Sequence, residues 1–303
     1  MSAPSPAPYV FVIGTGRCGS TLTEEILCRH PDVGFISNLD DRLRLPTSAT
    51  RWSGRLYREL PSALAVTRFG KLTPSEAYRM LDSEVSPILS SPFRDLVAAD
   101  ASPWLADRLR TFFDGRAAAQ RTGTFLHKFT GWSRAAFLHE VFPTARFIHV
   151  IRDGRAVANS WLQMPWWLGF SGPERWQWGP LPPELAAQWH DADRSFTVLA
   201  GLLWRVLVDA CDAARAVVPE DQWLEVRYED VTAQPRDAFE AMLRFCGLEW
   251  CEEFERGLAR HRLSAARVDA YRRDLNPGEL ARMTAAIAPT LEAHGYATAG
   301  DDR

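Results

Sequence analysis

Residues 9–21, YVFVIGTGRCGST, decide how this chain is read. Tyr9–Gly14, YVFVIG, is a short apolar run rich in β-branched residues, the pattern of a strand buried on both faces of a parallel sheet. Gly16 and Gly19 follow, and then TLTEEILCRH takes up helical spacing. A strand, a glycine-rich turn and a helix in that order turn backbone amides toward an anion. The glycines permit the tight turn, and the helix N-terminus adds partial positive charge. Gly16, Arg17, Cys18, Gly19, Ser20 and Thr21 are therefore the first candidate binding set.

The loop resembles a Walker A sequence, GxxxxGK[ST], with Ser20 where the lysine stands. That lysine normally reaches the β- and γ-phosphates, so its loss argues against an ATPase or GTPase, and Arg17 inside the loop supplies positive charge instead. Cys18 at a helix N-terminus is either a reactive thiol or a small packing residue, and packing is the favoured role.

Outward from the loop, short apolar runs predict strands at 33–37, 124–130, 146–152 and 223–228. Helical patterns cover 74–90, 103–120, the stretch between the two middle strands, 154–163, 184–217, 235–245 and 277–293, the last opening on Pro277. Strands alternating with helices predict an α/β fold: three αβα layers around a central parallel sheet, P-loop-like. Residues 164–183 break the pattern with proline, glycine and tryptophan, and six of the twelve tryptophans fall between 161 and 189. This reads as a helical, Trp-rich insertion: a lid over an aromatic, lipid-like or glycosidic acceptor, or a packed segment that needs bulk. Residues 1–8 read as a disordered tail, 9–296 as one domain and 297–303 as a C-terminal tail.

Composition narrows the function. A 303-residue chain that is 46% hydrophobic holds a sizeable core. The net charge of −3 gives no global pull toward nucleic acid. The five cysteines are odd in number and form no CxxC pair, which reads as reduced thiols in a cytoplasmic protein, with no disulfide framework and no zinc site. No apolar run is long enough for a transmembrane segment, and MSAPSPAPY is no signal peptide. Lys71 and Lys128 are the only lysines in an arginine-biased chain, which makes each more informative than an arginine.

A second anion site lies in RFIHVIRDGRAVANS (146–160). Arg152 ends a predicted strand, where open α/β sheets bind ligands, and Ser160 lies about two turns into the next helix. A guanidinium fork and a hydroxyl suit a phosphate. GTGRCGSTL (14–22) resembles the 5′-phosphosulfate loop of the sulfotransferases that use 3′-phosphoadenosine 5′-phosphosulfate (PAPS), with Arg17 on its basic position and Ser20 and Thr21 on its hydroxyl pair. The 146–160 segment resembles the family's 3′-phosphate motif, with Gly154 in place of proline. VRYEDVTAQPRDAFEAMLRFCGLEW (226–250) and YRRDLNPGE (271–279) resemble later family segments. They imply Tyr228 against the adenosine and Arg272 and Arg273 closing over the 3′-phosphate.

The resemblance implies a bacterial-type sulfotransferase with PAPS as co-substrate and no metal. Its acceptor is a small molecule, glycoside or lipid carrying a hydroxyl, and a homo-oligomer is compatible. Lys128, ending TFLHK, falls where the family has a lysine; with Arg17 it serves the leaving oxygen. The base is harder to place. The family's glutamate position, in HPDVGFISNLDDRL (30–43), carries Asn38, so Asp40 or Asp41 is the candidate. The family's histidine after the strand lysine is Thr130 here, and strand alternation turns His127 to the opposite face. The rival readings are a P-loop nucleotide-dependent kinase or hydrolase and a non-catalytic PAPS-binding relative.

Overall fold

A computed structural model of the chain describes residues 9–59 and 72–298. The tail expected at 1–8, and residues 299–303 of the tail expected at 297–303, lie outside the described residues. Five parallel strands, β1 (Tyr9–Gly14), β2 (Val33–Gly34), β3 (Thr124–Thr130), β4 (Arg146–Ile151) and β5 (Trp223–Arg227), form one sheet in the order β2-β3-β1-β4-β5. β1 is central and pairs with β3 from Tyr9↔Phe125 to Gly14↔Thr130 and with β4 from Val10↔Arg146 to Ile13↔His149. The chain therefore reverses its direction across the sheet at β1. The C-terminal ends of β1, β3 and β4 adjoin there, at the crevice where open parallel sheets bind ligands.

Alternation along the strands divides the core. Val10, Val12, Leu126, Ile148 and Val150 face one side, and Tyr9, Phe11, Ile13, Phe125, Phe129 and Phe147 face the other. The first face is covered by α1 (Ser20–Leu27), α7 (Gly154–Leu162), α9 (Phe196–Arg215) and α14 (Pro277–Ala293). The second is covered by α5 (Pro103–Gln120) and α6 (Ala135–Val141). Both faces are thus apolar, which is why the strands read as continuous hydrophobic runs. His127 follows the aromatic face as expected, with its ring centroid 5.0 Å from that of Phe113 and 4.8 Å from that of Phe129.

Three expectations change. The strand expected over 33–37 pairs with β3 only at Val33–Gly34, and Ser37 instead bridges Pro74. The helix expected over 74–90 is α4 (Tyr78–Glu84) and a separate turn at Pro87–Leu89, because Ser86 caps the second piece and Pro87 has no N–H to continue the first. The helix expected over 184–217 is two helices, α8 (Pro183–Asp191) and α9. Asp193 and Arg194 turn left-handed between them, with φ of 53° and 56°. The Ser195 hydroxyl then accepts from Val198 N–H to restart the helix.

The excursion that β2 opens has a closed neck. Asn38 N–H donates to the Thr73 carbonyl at 2.9 Å, Ser75 N–H to Ile36 at 2.9 Å, and the Asn38 amide to the Pro74 carbonyl at 3.1 Å. The chain leaves at Ser37 and returns beside it at Ser75.

Candidate active site

The glycine loop leaves β1 through positions that a side chain would block. A Cβ on Gly14 would stand 2.6 Å from the Val150 carbonyl oxygen of the neighbouring strand. One on Gly19, at φ 99°, would stand 2.2 Å from the Tyr228 ring, so Tyr228 lies directly on the loop's last turn. Arg17 itself is left-handed, φ 57°. A non-glycine residue held there costs about 1–2 kcal/mol. Cys18 is fully buried and points back toward Gly14, which makes it a packing residue.

The strained turn sends the Arg17 side chain across to α7, where its Nε donates to Ser160 Oγ at 2.9 Å. Arg152, one residue beyond β4, donates from one terminal nitrogen to the Arg17 carbonyl at 3.1 Å and from the other to the Arg267 carbonyl at 2.6 Å. Its guanidinium lies 4.6 Å from the Tyr228 ring centroid. The two sequence motifs are thus one continuous site. Burial, and then the nearby Arg267 and Arg152 charges, lower the pKa of Arg17. Among the described residues, Arg17, Arg152 and Arg267 have no carboxylate within 4.0 Å. The Nε of Arg152 is buried with no partner. Arg152 is buried while Arg17 and Arg267 reach solvent, so an anion entering beside the loop would meet three positive charges that repel one another until it binds.

Lys128 stands on β3 beside this site and is almost wholly buried. Its Nζ donates to Thr21 Oγ1 at 2.8 Å and lies 3.2 Å from Glu24 Oε2 and 3.7 Å from Glu76 Oε1. Burial opposes its charge, but Glu24 and Glu76 outweigh it, so the ammonium is held protonated. Glu24, on α1, is fully buried, and that burial pushes its carboxyl up to about 7 against the pull of Lys128. Glu76 is only partly buried and also accepts from Thr130 Oγ1 at 2.5 Å.

Glu76, Thr130, Gly16 and Thr15 form part of the wall of a cavity of about 500 Å³. Trp132, Trp161, Trp166 and Trp178 supply much of the rest. Gly131 lets Trp178 lie on the backbone, since a Cβ there would stand 2.3 Å from the indole. The Trp-rich stretch is divided between cavity wall and core. Trp161, Trp166 and Trp178 line the cavity, while Trp167, Trp176 and Trp189 belong to the buried core.

Asp40 and Asp41 have structural tasks. Asp40 is fully buried, and its Oδ2 accepts from both the N–H and the hydroxyl of Ser37 at 2.8 Å, closing a capping box on α2 (Asn38–Leu43). Asp41 Oδ1 accepts from Met80 N–H at 3.0 Å. Neither lines the cavity; of the two carboxylates beside Lys128, Glu24 and Glu76, it is Glu76 that does. Arg272 and Arg273 are exposed and pair locally with Asp269 and Asp274. The contact to Arg152 comes from Arg267, earlier in the same segment. Arg155 is buried against Asp153 at 2.6 Å.

Sequence reasoning missed Glu24, Glu76 and Arg267. Glu24 had a signal, since it lies three residues after Thr21 and so shares its helix face. Glu76 had none, because its neighbours in space are set by the closed neck.

A family model described as "Sulfotransferase family" matches residues 8–252. The chain is 23% identical over 245 residues to protein-tyrosine sulfotransferase A of Caenorhabditis elegans, covering 80% of this chain and 51% of that protein. It thus spans about half the length of that relative. Among solved structures, the sulfotransferase STF9 of Mycobacterium avium superposes with a TM-score of 0.60 at 17% identity, covering 97% of this chain and 78% of that one. The sulfotransferase domain of the Synechococcus PCC 7002 olefin synthase gives 0.51 at 19% identity, covering 98% of both chains. At these identities the superpositions establish the fold.

Proposed function

We infer that this chain, which belongs to the sulfotransferase family, moves a sulfuryl group from PAPS to an acceptor hydroxyl, with residues 9–296 acting as one domain. The observation that carries the reading is the cluster of Arg17, Arg152 and Arg267 with no counter-ion among the described residues, set against a glycine loop. A nucleotide with separate phosphates at its 5′ and 3′ positions fits that arrangement. Gly16, Arg17, Cys18, Gly19, Ser20 and Thr21 would hold the 5′ end, Arg152 and Ser160 the 3′-phosphate, and the Tyr228 ring the adenosine. PAPS supplies a sulfuryl group already activated by its bond to phosphate.

The chain's own groups then have distinct tasks. Lys128, held charged and aimed at Thr21, offers a proton donor where negative charge develops on the leaving oxygen. Glu76, in the cavity wall and 3.7 Å from Lys128, accepts the acceptor's hydroxyl proton. The closed neck supports this assignment. It returns the chain to the point where the family's glutamate position carries Asn38, so the carboxylate arrives from the far end of the excursion. The positive charge of the site comes from arginine and lysine, so we expect no metal requirement. The acceptor's ring sits among the indoles. Five cysteines without a disulfide fit a reducing, cytoplasmic setting.

Calorimetry with adenosine 3′,5′-bisphosphate and with ATP, both in EDTA, tests the reading. The bisphosphate is expected to bind more tightly. Tighter ATP binding, or binding that needs magnesium, would replace it with a kinase or hydrolase.

A further inference from the structure

The wall of the acceptor cavity contains a buried cation. Arg134, at the start of α6, is 1% exposed and lines the cavity beside the indoles. Its backbone is left-handed, φ 55°, and is held there by its N–H donating to Asp95 Oδ1 at 2.7 Å. One terminal nitrogen donates to the Thr130 carbonyl at 3.3 Å and the Trp132 carbonyl at 2.5 Å. Nε is buried without a partner. Among the described residues no carboxylate lies within 4.0 Å of the guanidinium.

Of the carboxylates nearby, Asp95 acts on the Arg134 charge from beyond 4.0 Å, and none is paired directly with the guanidinium. Glu76 accepts from Thr130 and lies beside Lys128. Asp95 uses its Oδ1 on the N–H groups of Leu96 and Arg134. A guanidinium taken out of water with no carboxylate paired to it is unfavourable, and a ligand oxyanion in the cavity would supply that partner. Its planar fork matches an oxyanion with two oxygens.

Resting on the sulfuryl-transfer reading, we propose that the acceptor is a hydroxylated ring compound bearing an anionic group, carboxylate or phosphate, which Arg134 binds while the indoles of Trp132, Trp161 and Trp178 hold the ring. The reacting hydroxyl faces Glu76, and the anion sits away from it on Arg134.

The test uses matched pairs differing by one charge: 4-hydroxyphenylacetate and its methyl ester, 4-nitrophenyl glucuronide and glucoside, 4-hydroxyphenyl methyl phosphate and its neutral dimethyl triester. Binding is read from tryptophan fluorescence with adenosine 3′,5′-bisphosphate already bound. This readout does not need turnover, so a protein that bound these compounds without transferring sulfate would count against the transfer reading alone. At least one anionic member is expected to bind roughly 10–100-fold more tightly than its neutral twin, the range for a charge-assisted hydrogen bond. The winning pair identifies carboxylate or phosphate as the anion. Arg134→Gln should remove the difference, and Arg134→Lys should keep part of it. The wild-type comparison needs no variant, so it stands even if a substitution at Arg134 unfolds the chain. No preference in any pair, or a preference that survives in folded Arg134→Gln, overturns the proposal. So does an Arg134→Gln variant that loses bisphosphate affinity and treats both twins alike, because the residue would then serve the donor.

Discussion

Truncating Arg152 separates the role proposed for it from the one the structure shows. The proposed role is to bind a 3′-phosphate; the observed one is to tie the Arg17 carbonyl to the Arg267 carbonyl across the loop. A charge-assisted hydrogen bond contributes about 1.5–3 kcal/mol. Arg152→Ala should therefore weaken adenosine 3′,5′-bisphosphate binding by roughly 10- to 150-fold. Loss of stacking on Tyr228 at 4.6 Å adds about 0.5–1 kcal/mol for any adenosine ligand. Adenosine 5′-monophosphate lacks the 3′-phosphate, so it registers only the stacking and loop terms. Calorimetry on both ligands with both proteins closes a thermodynamic cycle whose residual is the phosphate contact. The residual is expected at about 1.5–3 kcal/mol. In turnover the variant should raise the KM for the donor more than it lowers kcat, because this phosphate does not react. A residual near zero, with both nucleotides weakened equally, would refute the 3′-phosphate assignment and leave Arg152 as a brace for the glycine loop.

Lys128→Ala should lower kcat by roughly 10²–10³-fold with a smaller change in nucleotide affinity, and Lys128→Arg should fail to restore it because the pocket between Glu24, Glu76 and Thr21 fits a point ammonium; a Lys128→Ala variant with near-normal kcat would make the lysine structural. Glu76→Gln should lower the transfer rate by roughly 10²–10⁴-fold while nucleotide binding persists, and an active Glu76→Gln would move the base elsewhere. Asp40→Asn should appear in thermal unfolding, costing about 1–3 kcal/mol through the capping box, and Asp41→Asn should be milder; a rate loss in either at unchanged stability would return the base to α2. A pH effect on stability should come from His294, at the end of α14, whose ring lies 3.1 Å from Asp212 Oδ2 and 3.4 Å from Glu225 Oε1. Hydrogen bonds to Asp212 and Glu225, against burial, raise its pKa from the usual 6.5 to about 9. Its contribution is therefore fully present below pH 6.5 and disappears as pH rises through about 9. The wild-type melting temperature should fall across that window and His294→Gln should flatten the slope; an equal slope in both would assign it to another group.

What was legible in the sequence is what is local in the chain. The strand-loop-helix at 9–27 carries its glycines, its apolar run and its hydroxyls within one turn of each other, so pattern and structure coincide. The same holds for Arg152 and Ser160, whose spacing on a strand end and a helix fixes their relation to the sheet. Lys128 was legible because strand parity separates it from His127, which the structure buries among phenylalanines and whose pKa is pulled down to about 3 by burial and then by Lys128. Contacts made by return of the chain were illegible. Glu76 reaches Lys128 only because Asn38, Thr73 and Ser75 close a neck, and nothing periodic in 39–75 announces that pairing. The expected basic pair, Arg272 and Arg273, illustrates the converse: the residues match a pattern, but local aspartates hold them at the surface. The break before α9 depended on Ser195 capping a new helix, a local signal outweighed by the long apolar periodicity on either side.

The neck at Ser37 and Ser75 uncouples length from geometry. Once both ends of an excursion are tied together, each doubling of its contour adds only about 0.6 kcal/mol of closure entropy. That small cost applies only to residues of the excursion that pack on nothing, since Asp40, Thr50 and Tyr57 within it are fully buried, while the two ends, and the carboxylate that follows them, keep their place against β3. A position whose chemistry is held fixed in space can in this way drift freely along the chain. Catalytic groups in such architectures are better located by asking which hydrogen bonds close each detour than by counting residues from the nearest motif.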